Sequence, residues 1–133
     1  MNGDPNRDVV VVRSGQLSSD TAQTPGMPRL SAIDPRTGSK KLWVGRVTGL
    51  PLMDSGAHHH GEAETVGYVL AGNVRIRFGD HYERSVELNA GDFIYIAPYV
   101  PHIEQNPNDA PVEFVTIRTP DNIVVRLPEP HDP

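Results

Sequence analysis

The five residues Val74-Arg75-Ile76-Arg77-Phe78 alternate apolar and basic side chains without an error. That period-two pattern predicts a strand with one buried and one wet face. Short apolar runs recur along the chain. Residues 30–33 and 42–50 flank a turn at Asp34-Pro35-Arg36-Thr37-Gly38, and residues 65–70, 93–96, 112–118 and 123–127 read as further strands. Val9, Val10, Val11 and Val12 form a β-branched run that predicts a first strand. From Ser14 to Arg29 the chain is polar, with Pro25-Gly26 and Pro28, and reads as an extended arm or loop. Turn chemistry separates the runs. Gly72-Asn73 is a two-residue hairpin signal, Ala90-Gly91-Asp92 leads into 93–96, and Pro107-Asn108-Asp109 leads into 112–118. Residues 128–133 are expected to fray. With 12 glycines and 13 prolines spread over 133 residues, almost no window is long enough for a core helix. Many short strands at roughly 8–12-residue spacing predict an all-β sandwich or barrel. The length allows one domain, 1–133, with an N-terminal strand and arm over 1–29 and a barrel over about 40–127.

Composition narrows the classes. There is no cysteine, which excludes disulfides and thiolate metal sites and leaves the cytoplasm as the default location. The net charge is −5, and the arginines and lysines are scattered. No basic surface able to track phosphates is expected, so nucleic acid is not an expected partner. Residues 1–8 lack the basic-then-apolar order of a signal peptide. No apolar run approaches the ~20 residues that span a bilayer.

The candidate chemistry lies in His58-His59-His60, Glu64 and the distant Pro101-His102. On a strand, His58 and His60 share a face, because side chains alternate with period two. Glu64 follows closely enough to turn a carboxylate to the same point, and His102 has to arrive from another strand. Three neutral imidazoles and one carboxylate suit a divalent transition metal: Fe, Mn, Ni, Co or Zn. His59 is expected to face away, Glu62 competes less well than Glu64 by spacing, and His81 belongs to a solvated loop. His131 lies in the tail, and Asn106 reads as a turn or backbone hydrogen-bonder.

These residues resemble the two motifs of the cupin superfamily, small jelly-roll barrels. The first motif runs G-x5-H-x-H, a gap of three or four, E, a gap of about six, then G. This chain has His58-x-His60, Glu64 and Gly72, with Gly56 closer to the first histidine and a gap of seven before Gly72. The second motif runs G-x5-P-x-G-x2-H-x3-N. Gly91, His102 and Asn106 fit it, while Ala97 stands for the proline and Tyr99 for the glycine. The resemblance covers residues from about 40 to 127. It implies a jelly roll of two antiparallel sheets and a metal held by His58, His60, Glu64 and His102.

Four protein ligands on a six-coordinate metal would leave two adjacent positions for water, O2 or a bidentate anion. Period two places Val66, Tyr68 and Leu70 on the face of Glu64, where they are expected to make an apolar pocket. Tyr68 is the one member with a proton to give, and so is the candidate catalytic residue. No cofactor other than the metal is indicated: there is no phosphate-binding glycine loop. Three classes follow, all acting on a small molecule such as an enol or catechol: a dioxygenase-like oxidoreductase, ranked narrowly first; a non-redox cyclase, isomerase or lyase; and a non-catalytic binding module. Exposed sheet edges and the N-terminal arm predict a homodimer.

Overall fold

The computed structural model describes residues 9–129. Among them, ten strands follow in chain order: β1 (Arg29–Ile33), β2 (Trp43–Gly49), β3 (His58–His59), β4 (Glu64–Ala71), β5 (Asn73–Phe78), β6 (Arg84–Asn89), β7 (Phe93–Ile96), β8 (His102–Gln105), β9 (Val112–Thr119) and β10 (Val125–Arg126). They form two five-stranded sheets, ordered β1-β2-β9-β4-β7 and β10-β3-β8-β5-β6. Every strand pairing is antiparallel. This is the predicted jelly-roll sandwich.

The inner face of the first sheet is built in rows, because paired residues of neighbouring strands point the same way. Val47, Phe114 and Val69 lie side by side in one row. Gly45, Thr116, Gly67 and Ile94 form the next, and Trp43, Arg118, Thr65 and Ile96 the third. The first row joins Met27, Met53, Val74, Ile76, Leu88 and Val112 in one apolar cluster. The third row puts two polar residues, Arg118 and Thr65, between Trp43 and Ile96, and both are buried. The glycines of the middle row give up their space to neighbouring side chains. A Cβ on Gly45 would run into the Trp43 ring, and one on Gly67 would stand 3.1 Å from Ile94.

Three local expectations are corrected. Residues 9–12 are not among the ten strands, and Val9 and Val11 are exposed. Gly72-Asn73 does not close a hairpin. β4 and β5 belong to different sheets, so this is the corner where the chain crosses the sandwich. Gly72 takes φ +88°, and a Cβ there would come within 2.9 Å of the Pro111 carbonyl oxygen, so the corner needs glycine. β6, absent from the expected strands, joins β8, the strand expected to bring His102, in the second sheet. The expected fraying of 128–133 concerns residues that lie mostly outside the described ones.

The arm packs on its own barrel. Ser18 bridges Ser31 of β1, Asn122 donates to Thr21 Oγ1 and the Ala22 carbonyl, and Met27 is wholly buried. Among the described residues no helix is long and apolar enough to cross a membrane.

Candidate metal centre

Strand β3 delivers His58, the turn after it delivers His60, and β8 brings His102 directly opposite His58 in the ladder. All three side chains are buried. Their ring centroids lie 5.0 Å (His58–His60), 4.4 Å (His58–His102) and 5.1 Å (His60–His102) apart. One ring nitrogen from each falls within 4.8 Å of the others.

Hydrogen bonds fix how the rings face. Nδ1 of His58 lies 3.0 Å from the Gly56 carbonyl oxygen, that of His60 2.7 Å from Ile123 and that of His102 2.9 Å from Val100. A carbonyl only accepts, so each Nδ1 carries the proton and each Nε2 keeps its lone pair. The Nε2 atoms of His58 and His102 are buried with no hydrogen-bond partner. Buried polar atoms are rarely left so. Three convergent imidazoles, two of them with an unpartnered Nε2, fit a transition-metal ion. Burial favours the neutral form of His60 and His102. Burial, helped by Arg118 and His102, pushes His60 down to about 2. Burial also lowers His102 to about 4, with Glu104 opposing.

The carboxylate beside the imidazoles is Glu104, two residues after His102 on the same face of β8. Its Oε2 lies 3.5 Å from His58 Nε2, too far for a good hydrogen bond, and has no other partner. Burial alone would push the Glu104 carboxyl up. The adjacent His58, followed by His102 and Arg29, more than offsets this and holds it below the ordinary carboxylate range. Two cations share the interior. Arg29 and Arg118 are both almost fully buried. Arg118 donates from Nε to Thr65 Oγ1 at 3.0 Å and from Nη1 to Asn122 Oδ1 at 2.9 Å. Its Nη2 stands 3.0 Å from His60 Nε2, and its guanidinium lies 5.9 Å from the Trp43 ring centre. Burial, aided by Arg29 and opposed by Glu104, lowers Arg118 to about 9, so it remains a cation at neutral pH.

The structure does not bring Glu64 or Tyr68 to this cluster. Glu64 is exposed, and its carboxylate accepts from the Tyr95 hydroxyl at 2.9 Å. Tyr68 packs on Phe93, ring centroids 4.5 Å apart, on that outer side of the sheet. The inward residues of β4 are Thr65, Gly67 and Val69. A one-residue slip in a strand exchanges its faces. The gap of seven before Gly72 carried that signal: a gap of six places the motif's carboxylate position at Thr65. Val66 and Leu70 share the outward face and line no pocket at the imidazoles. The remaining candidates lie where the sequence put them. His59 faces away, accepting from the Gly61 amide at Nδ1, and its ring lies 5.7 Å from that of Tyr99. Glu62 and His81 are exposed. Asn106 donates to the carbonyls of Gly49, Leu50 and Ala110. His131 lies outside the described residues.

Sequence reasoning missed Glu104 and Arg118. Period two gives both. His102-x-Glu104 repeats the logic of His58-x-His60, and Arg118 continues the inward series Val112, Phe114, Thr116. A second departure from the motif is visible as backbone. Tyr99, where the motif has glycine, adopts φ +62°. The turn is kept with a side chain in the left-handed region.

Two spaces adjoin the cluster. An open apolar cleft of about 390 Å³ has His102 in its wall together with Phe78, Val86 and Val100. A small space of about 20 Å³, room for a water-sized group, lies between apolar residues such as Val69, Leu88 and Phe114 and the polar Thr65, Glu104, Thr116 and Arg118. Ile76, Ile94 and Ile96 line both.

The family model described as Cupin domain matches residues 50–118. No functionally curated protein matches the sequence. Among solved structures, the polyketide cyclase RemF from Streptomyces resistomycificus superposes with a TM-score of 0.76 at 19% identity, covering 95% of this chain and 90% of that one. An uncharacterized conserved protein with a double-stranded beta-helix domain from Klebsiella pneumoniae gives 0.64 at 18% identity, covering 84% of this chain and 91% of the other. Oxalate decarboxylase from Bacillus subtilis gives 0.67 at 24% identity; the match covers 81% of this chain but only 29% of the decarboxylase. At these identities the likeness is one of fold.

Proposed function

This chain belongs to the cupin family, and on that premise we propose that it is a metal-dependent enzyme acting on a small chelating organic anion, with proton transfer rather than oxidation as its chemistry. The observation that carries the reading is the cluster of three convergent imidazoles, each Nδ1 tied to a carbonyl, with a buried carboxylate beside them. His58, His60 and His102 would hold the metal. Bound there, a divalent ion supplies Lewis-acid polarisation of a substrate carbonyl or enol oxygen.

The chain's own residues supply the rest. The cleft walls of Phe78, Val86, Ile94 and Ile96 would bind an apolar or aromatic body and exclude water from it. Glu104, buried beside His58 with its Oε2 unpartnered, is the carboxylate placed to exchange a proton with a substrate carbon or hydroxyl. It takes the acid/base role that the sequence assigned to Tyr68. Arg29 and Arg118 make the interior favourable for an anion. A buried base beside the ligand cluster favours cyclase, isomerase or lyase chemistry over the dioxygenase ranked first on sequence grounds. The oxygenase remains the second reading, favoured by an open apolar cleft against a three-histidine site.

The test is to load the untagged protein separately with zinc, manganese, iron, nickel or cobalt and assay a panel of enols, catechols and flavonols with an oxygen electrode. Turnover with zinc and no O2 uptake is the expected result. Turnover confined to redox-active metals, with O2 consumed in proportion to product, would replace the proposal by the oxygenase. Tight ligand binding without turnover in any metal form would make the protein a binding module.

A further inference from the structure

His60 has one lone pair and two claimants. Its Nδ1 proton is committed to the Ile123 carbonyl, so Nε2 is the acceptor, and Arg118 Nη2 stands 3.0 Å from it. A metal ligated by His60 needs that same lone pair. The guanidinium cannot withdraw far when it is displaced. Nε is held by Thr65, Nη1 by Asn122, and the side chain is buried beside Trp43. Asn122 is itself anchored to the arm through Thr21 and Ala22. Metal binding would therefore leave a fixed, cationic N–H without an acceptor, at a small space with room for one water-sized group. A buried donor left unpaired is unfavourable, and a charged one more so.

We propose that Arg118 is the anion-positioning residue of this site, masked by His60 in the metal-free protein and released by metal to bind a carboxylate or enolate oxygen. Metal and anion then bind with positive coupling, since metal takes the His60 lone pair and the anion takes the Nη2 donor that metal leaves without an acceptor. Specificity for an anionic group follows from a planar guanidinium with two of its nitrogens already oriented. This inference rests on the reading that the three histidines hold a metal.

Isothermal titration separates the two. Co(II) is titrated into wild type, Arg118→Met and Arg118→Lys, and acetylacetonate, a chelating enolate, is then titrated into each metal-loaded and metal-free form. Arg118→Met should bind Co(II) about tenfold more tightly, because a competitor and a positive charge are removed, and acetylacetonate at least tenfold more weakly. Arg118→Lys keeps the charge but loses the fork, and should fall between. Wild type without metal should not bind acetylacetonate. A variant that merely misfolds loses both affinities, so the opposite signs are the signature. Equal acetylacetonate affinity in loaded wild type and loaded Arg118→Met would overturn the role of Arg118 while leaving the metal reading intact. Absence of Co(II) binding to wild type would overturn both.

Discussion

The two ends of the barrel interior are made from the same strands and do opposite things. On β9, Val112 and Phe114 lie in the apolar cluster, and four residues on from Phe114 the same inward face carries Arg118. On β4 the order is reversed, from Thr65 to Val69. The apolar end packs Val47 against Phe114 against Val69, and the buried Arg29, which pairs with Val47, is the charged residue at the β1 edge of that row. The polar end holds three imidazoles, a carboxylate and the Arg118 guanidinium, and leaves His58 Nε2, His102 Nε2 and Glu104 Oε2 unpaired. Burial of ionisable groups opposes folding unless something pairs them. The apolar end supplies the stability, and the polar end stores the unsatisfied bonding capacity that a metal and an anion can take up.

Substitution of Phe114 by Ala should separate the two ends most strongly. Truncating so large a buried aromatic costs about 3–5 kcal/mol, seen as a lowered urea midpoint, while metal stoichiometry per folded molecule stays unchanged. Equal loss of metal would mean that the ends are not independent.

The second effect is metal itself. It binds the folded chain and should add about 4 kcal/mol at a thousandfold excess over Kd, roughly ten degrees in Tm. A melting curve indifferent to EDTA would contradict the metal reading of the polar end.

Acid acts on the same end. His60 and His102 are held neutral in the fold, at about 2 and about 4 against an ordinary 6.5. The unfolded chain takes up protons that the folded chain refuses, so their stability contribution is complete above about 6.5 and falls as pH drops towards 4 and below. Glu104, lowered from 4.5, adds to the loss below that pH. Urea midpoints measured from pH 7 to pH 4 should fall steadily in the metal-free protein, and a flat profile would count against neutral buried imidazoles. The smallest effect lies outside both ends. Tyr99→Gly should relieve left-handed strain of about 1–2 kcal/mol, partly cancelled by glycine's entropy of about 0.5–1 kcal/mol, giving a small rise in Tm.

Most of the fold was legible because period two is a local signal. Residues 74–78 and 112–118 show their inner faces in sequence alone. Sheet partnership is not local. Gly72-Asn73 has hairpin chemistry, yet the strands it joins pair elsewhere, and residues 9–12 have strand propensity but are not among the ten strands. Three of the four expected ligands, His58, His60 and His102, come together in the structure. The fourth, Glu64, points outward because adjacent strand residues face opposite ways, and Glu104 stands beside the imidazoles instead. Arg118 escaped notice because a buried cation is read by default as a surface residue.

Metal content of purified, untagged variants tests the central claim most directly. Wild type and Glu64→Ala should each retain roughly one divalent ion per chain after dialysis, and His102→Ala should retain almost none. Full occupancy in His102→Ala, or loss of metal in Glu64→Ala, would contradict the account.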